Sequence, residues 1–158
     1  MSQLTSQRIG QLVIEALERT AFVLAETVDA GEAAALPKPT HFSRIVYTGP
    51  DQGEVLLAAS DGFVRELTSS ILGVEPEEVD TETQGQDAIK ELANIVGGST
   101  ILELGGADCK YSLRLPELLD GSSASEPGDN GAVCFVESEG ELLKVVWHPM
   151  DSSQSAAA

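Results

Sequence analysis

Among the 158 residues of this chain, two side chains combine useful chemistry with a helical spacing: Glu91 and Asn94, three residues apart. A carboxylate and a carboxamide at i and i+3 project from the same helix face, where both can enter another molecule's site together. Asn offers a donor and an acceptor, so it can hold a water in line for attack without being a strong base. Glu can pair with a partner's lysine and set the docking register. Such a pair is half of an active site, and the other half would come from the substrate protein. At about 100° per residue, Asp87, Glu91, Asn94 and Gly98 share one narrow strip while Ile89, Leu92, Ala93 and Val96 share the opposite side. Asn and Gly are both mildly unfavourable in a helix interior. Their presence on the polar strip marks a surface shaped for approach, and Gly97-Gly98 is expected to give a partner room.

The elements that must carry this strip follow from periodicity. A first helix is expected from about Thr5 to Val28, with Ile9, Leu12, Val13, Ala16, Leu17, Val23 and Leu24 on its apolar stripe and Phe22 pointing away. Pro37 and Pro39 end it in a connection. Alternation over His41 to Thr48, turn residues at 49–53 and Glu54 to Ala59 predict a hairpin. Ser60 or Asp61 should cap a second helix over Phe63 to Leu72, with Phe63, Val64, Leu67 and Ile71 inward and Gly73 closing it. The acidic run Glu75 to Glu82 reads as a solvated linker placed favourably before a helix N-terminus. The helix carrying Glu91 and Asn94 is predicted from about Thr83 toward Leu104, stopped by Gly105-Gly106. Strands are expected at Cys109 to Leu115, Ala132 to Glu137 and Leu142 to His148, with a flexible surface loop over Leu119 to Gly131. The class is α+β, long helices on an antiparallel sheet in two similar halves.

Composition narrows the chemistry. With 26 acidic against 9 basic residues and a net charge of −17, the chain should repel nucleic acid and anionic membranes, which require clustered Lys and Arg. Hydrophobic residues make up 42%, ordinary for a globular domain. Cys109 and Cys134 are too few for a disulfide scaffold, both read as small buried residues within strands, and with no signal peptide recognised a reducing cytoplasm is expected. No Gly-rich phosphate loop with Lys, Cys-x-x-Cys, His-Glu-x-x-His or nucleophile elbow is present. His41 and His148 each fall near a strand end and are not expected to share a metal.

The run Asp87-x-x-x-Glu91-x-x-Asn94, followed by Pro116 and set within Glu-Leu-Ala-Asn-Ile-Val-Gly-Gly, resembles the signature of the CheC/CheX/FliY family of chemotaxis phosphatases. The resemblance extends over roughly residues 5–149. It implies a phosphatase domain over residues 1–149, followed by a disordered tail at 150–158. It also implies a substrate, the phospho-aspartate of a CheY-type receiver domain. Asn94 would position the attacking water and Glu91 would pair with the receiver's lysine. Asp87, Gly97, Gly98 and Pro116 would belong to the partner-binding surface. The Mg²⁺ and the phosphorylated carboxylate would be the receiver's, leaving this chain without a cofactor of its own. The matching line of the first helix reads Gln11, Glu15, Glu18 and lacks Asn, so one active helix per chain follows the CheX pattern, in which dimers form through the sheets. The rival reading is a non-catalytic receiver-binding or flagellar-switch-like module.

Overall fold

The structure, a computed structural model, describes residues 4–121 and 130–150. Helix α1 (Ser6–Ala21) is followed by a short strand β1 (Glu26–Val28), a short helix α2 (Ala30–Ala34) and the hairpin β2 (His41–Thr48) and β3 (Gln52–Ala59). Helices α3 (Asp61–Leu72) and α4 (Gln84–Gly105) come next, then the edge strands β4 (Ser112–Leu113) and β5 (Glu117–Leu119) and the hairpin β6 (Ala132–Ser138) and β7 (Glu141–Met150). All strand pairs are antiparallel, in the order β1-β6-β7-β3-β2-β4, with β5 also pairing with β2. The two hairpins therefore meet along β3 and β7. Helix α1 lies over β6 and α4 over β2, which gives two similar halves on either side of that central pair.

One face of the sheet makes the core. In β2 the residues Ser43, Ile45 and Tyr47 are buried, alternating with partly exposed neighbours, the period-2 pattern of a strand covered on one side. Ile45, Val55, Leu57, Val145 and Trp147 meet Ile9, Val13 and Leu17 of α1, Phe63 and Leu67 of α3, and Ile89, Leu92 and Val96 of α4 in one cluster. Burying each such aliphatic side chain is worth about 1.5–3 kcal/mol. Trp147 donates its indole N–H to the Tyr47 hydroxyl at 2.9 Å, so the one polar atom of each ring is satisfied. Burial pushes that hydroxyl's pKa up to about 12, and it stays a neutral donor and acceptor at neutral pH.

Several expectations are revised. The first helix stops at Ala21, not Val28. Phe22 takes a left-handed conformation (φ 56°) and returns the chain into β1, which pairs with β6. Val23 is buried all the same, but Leu24 is 75% exposed and Phe22 83%. Ile71, expected inward, is exposed in the last turn of α3. Ser60 stands at the N-cap of α3 without a side-chain cap; its hydroxyl donates instead to Glu141 Oε1 and accepts from the Leu142 N–H, stitching α3 to β7. The acidic run is partly structured: Pro76–Glu78 forms a 3-10 turn, and Val79 and Thr81 are buried between exposed acids. The strand expected over Cys109 to Leu115 shrinks to Ser112–Leu113, because Gly106 (φ 67°) and a second 3-10 turn (Gly106–Asp108) spend the preceding residues reversing the chain. Cys109 is therefore half-buried outside any strand, while Cys134 lies buried in β6 as expected. Leu119 belongs to β5 rather than to the loop; residues 122–129 of that expected loop and residues 151–158 of the expected tail lie outside the described residues.

Candidate functional site

Helix α4 runs 22 residues, and its inner side is set by Ala88, Ile89, Leu92, Ala93, Val96 and Thr100, all buried. The Ser43 hydroxyl donates to the Ile89 carbonyl at 3.2 Å and the Thr100 hydroxyl to Val96 O at 2.8 Å, so both buried hydroxyls are satisfied. At its C-terminal end Arg8 of α1 bonds Glu103 at 2.7 Å, which raises the arginine's pKa and lowers the glutamate's. Ahead of α4, the Arg65 guanidinium of α3 donates to Val79 O at 3.1 Å and to Asp61 at 3.0 Å, while His41 of β2 contacts Asp61 at 2.9 Å, which ties β2 and α3 to the segment leading into the helix. The helix itself is thus held at its C-terminal end and along its buried side, which fixes where the other side points.

That other side carries the predicted strip. Asp87, Glu91 and Asn94 are all exposed and Gly98 is half-buried. Lys90 stands 4.0 Å from Asp87, an ion pair not anticipated from the sequence and too solvated to count for much. No such pair involves Glu91 or Asn94 among the described residues, so both can meet an incoming group without first breaking an intramolecular contact.

Gly97 and Gly98 part company. Gly98 faces open space, with nothing within 4 Å of a would-be Cβ. Gly97 is buried: a Cβ there would lie 2.7 Å from Ile45 Cγ2 and 3.2 Å from Leu113 Cδ2. Its small size lets α4 sit down on β2, so it makes no room for a partner, and its expected place in the binding surface is corrected. The same contact orients the site. Asn94 lies about 60° around the helix from Gly97, on the flank turned toward β4 and β5. Pro116, half-buried, occupies the connection between those two strands. Pro116 thus lies at the sheet edge between two strands that both touch α4.

Sequence reasoning passed over Leu102. It is 61% exposed and falls on the same outward line. The four-residue step from Gly98 is the signal that could have found it. His41 and His148 point to opposite faces of the sheet, His41 to Asp61 and His148 to Glu54 at 3.4 Å. No group of three or more His, Cys, Asp or Glu side chains suited to a metal occurs among the described residues, and no described helix is long and apolar enough to cross a membrane.

This geometry agrees with what comparison finds. The family described as Chemotaxis phosphatase CheX matches residues 42–137, from the start of β2 to the end of β6, with the whole of α4 inside. The chain belongs to the CheX family. CheX from Vibrio vulnificus superposes with a TM-score of 0.70 at 14% identity, over 90% of this chain and 93% of its own. CheX from Desulfovibrio desulfuricans gives 0.71 at 12% identity, covering 92% and 98%. The CheX of a CheX–CheY–BeF3–Mg²⁺ complex from Borrelia burgdorferi gives 0.67 at 13%, covering 90% and 96%. At such identities these structures speak for the fold, and the membership rests on the family match. No curated protein matches the chain in sequence. As a CheX-family chain it is a chemotaxis phosphatase by family.

Proposed function

We propose that this chain accelerates hydrolysis of the phospho-aspartate of a CheY-type receiver domain, with Asn94 and Glu91 as the groups it contributes. The observation that carries the reading is the exposed pair on α4, three residues apart, outward and without an ion-pair partner of its own among the described residues. The relative solved in complex with CheY supports a receiver as the partner.

The Asn94 carboxamide accepts a hydrogen bond from a water and holds its oxygen in line with the phosphorus. As the water's oxygen bonds to phosphorus, the P–O bond to the receiver's aspartate breaks, its electron pair stays on the carboxylate, and the water's proton passes to the departing phosphate. This carboxamide-and-water arrangement, completed by a second protein, is the logic by which GTPases position their nucleophile. Glu91 pairs with the receiver's lysine and fixes the register, with Asp87 and Gly98 around it and Pro116 bounding the Asn94 flank. The Mg²⁺ belongs to the receiver, where it neutralises charge on the phosphoryl oxygens; none of the roles assigned to α4 requires a metal held by this chain. Dimerisation through the sheet's outer face is part of the same reading. That face bears Phe42, Leu56 and Val146 around a shallow cavity of about 280 Å³, bordered by Lys38, Leu119 and Lys144.

The test is phosphate release from a phosphorylated receiver in the presence of Mg²⁺. Wild type should shorten the phospho-receiver's lifetime and Asn94→Ala should not. Equal rates for the two would remove Asn94 from the mechanism, and binding without acceleration by wild type would leave a receiver-binding module.

A further inference from the structure

The outward line of α4 continues past Gly98. Leu102 follows four residues later, within about 20° of Glu91 around the axis and about 12 Å beyond Asn94 along it. It is 61% exposed, although Ile101 and Leu104 on either side pack partly against the core. Between Asn94 and Leu102 the line holds only Gly98, where no atom stands within 4 Å of a would-be Cβ. A convex partner can therefore lie over Gly98 and touch Asn94 and Leu102 at once. A single exposed leucine is ordinary on a protein surface. Leu102 is set apart by its continuity with the strip that enters the receiver's site, and by being the strip's only large apolar side chain.

We infer that Leu102 is a specificity-determining contact of the phosphatase reaction. It seats against an apolar patch that a cognate receiver carries about 12 Å from its phosphorylated aspartate, and receivers with a charged or recessed surface there are discriminated against. The inference rests on the function proposed above and adds a second anchor to it: the polar pair performs the chemistry, and the leucine selects which receiver is held long enough. Such a contact is made equally in the ground state and the transition state, so its loss appears in KM and not in kcat.

The experiment measures dephosphorylation of a purified CheY-type receiver, phosphorylated with acetyl phosphate in Mg²⁺, as a function of receiver concentration. Leu102→Glu should raise KM about tenfold with kcat within about twofold of wild type, and Leu102→Met, similar in volume, should keep both. Leu24→Glu, a change at an equally exposed leucine on the α1–β1 connection, should alter neither. A wild-type KM for Leu102→Glu overturns the inference. So does conversion of Leu102→Glu from dimer to monomer in sedimentation, which would assign Leu102 to a second copy of this chain. The underlying reading fails separately: if Asn94→Ala keeps the wild-type rate while Leu102→Glu raises KM, the catalytic assignment falls and the contact stands.

Discussion

Replacing Asn94 by alanine deletes a donor and an acceptor without touching the core, since the side chain is exposed and α4 is anchored from its other side. The expected result is a loss of kcat on the order of 10²–10³, the cost of removing one positioned polar group from a transition state. The circular dichroism and melting temperature should be unchanged. Glu91→Ala should instead weaken receiver binding, read as a higher KM, because a docking charge acts before chemistry. The neighbouring glycines supply a contrast in stability. Gly97→Ala drives a methyl into Ile45 and Leu113, and should cost about 1–3 kcal/mol as an overpacked contact. Gly98→Ala meets nothing and should stabilise the helix by up to about 1 kcal/mol. Urea titration of the two variants checks both signs, and equal effects would contradict the placement of Gly97 against the sheet.

At the scale of elements, the His41, Asp61, Arg65 and Val79 contacts tie β2 and α3 to the segment that leads into α4. The Asp61 carboxyl sits below the usual aspartate range, first because His41 bonds it and then because Arg65 and Thr81 do. A folded-state pKa below the unfolded one means that ionised Asp61 stabilises the fold. That contribution is fully present above the ordinary aspartate value and is lost as pH falls through the lowered folded value. Asp61→Asn should therefore be less stable than wild type at neutral pH, with the gap closing in acid. Urea unfolding of both proteins over that range tests it, and a gap independent of pH would mean that the carboxylate's charge is not what holds this junction. The carboxylate is nearly half exposed, so solvent screening keeps the effect small. His41 was legible in the sequence only as the start of a strand. Its role at this junction depends on Asp61, 20 residues away, and no local pattern reports such a pairing.

For the whole molecule, the net charge of −17 sets the terms of self-association. Two copies brought sheet to sheet repel each other through solvent, and added salt screens that repulsion beyond about 8–10 Å. If the outer face carrying Phe42, Leu56 and Val146 joins two copies, sedimentation should show a dimer that tightens as ionic strength rises. Phe42→Glu, with its fold verified by circular dichroism, should shift the equilibrium toward monomer. A monomer under all salt conditions would refute the dimer. The same charge predicts that docking to an acidic receiver surface also gains from salt, whereas the single Glu91 to lysine contact weakens with it. Salt series on wild type and Glu91→Ala separate the two.

The sequence by itself determined the helix that carries the site, its inward and outward sides, the β2–β3 and β6–β7 hairpins and the turn at Glu139-Gly140, because these follow from local periodicity and turn chemistry. It also placed Glu91 and Asn94 on one exposed line, since residues three apart on a helix share a face whatever surrounds them. Only the tertiary structure decided what lies beside that line. Helix phase put Gly98 and not Gly97 on the outward strip, but only the approach of Ile45 and Leu113 shows that Gly97 is a packing residue and Gly98 open ground. The end of α1 at Ala21 likewise depended on a partner strand more than 100 residues later, since β1 exists through its ladder to β6. The exposure of Leu102 depends on how α4 is seated, and the Arg8–Glu103 and Ser43–Ile89 contacts that seat it span 95 and 46 residues and are set by packing rather than by pattern.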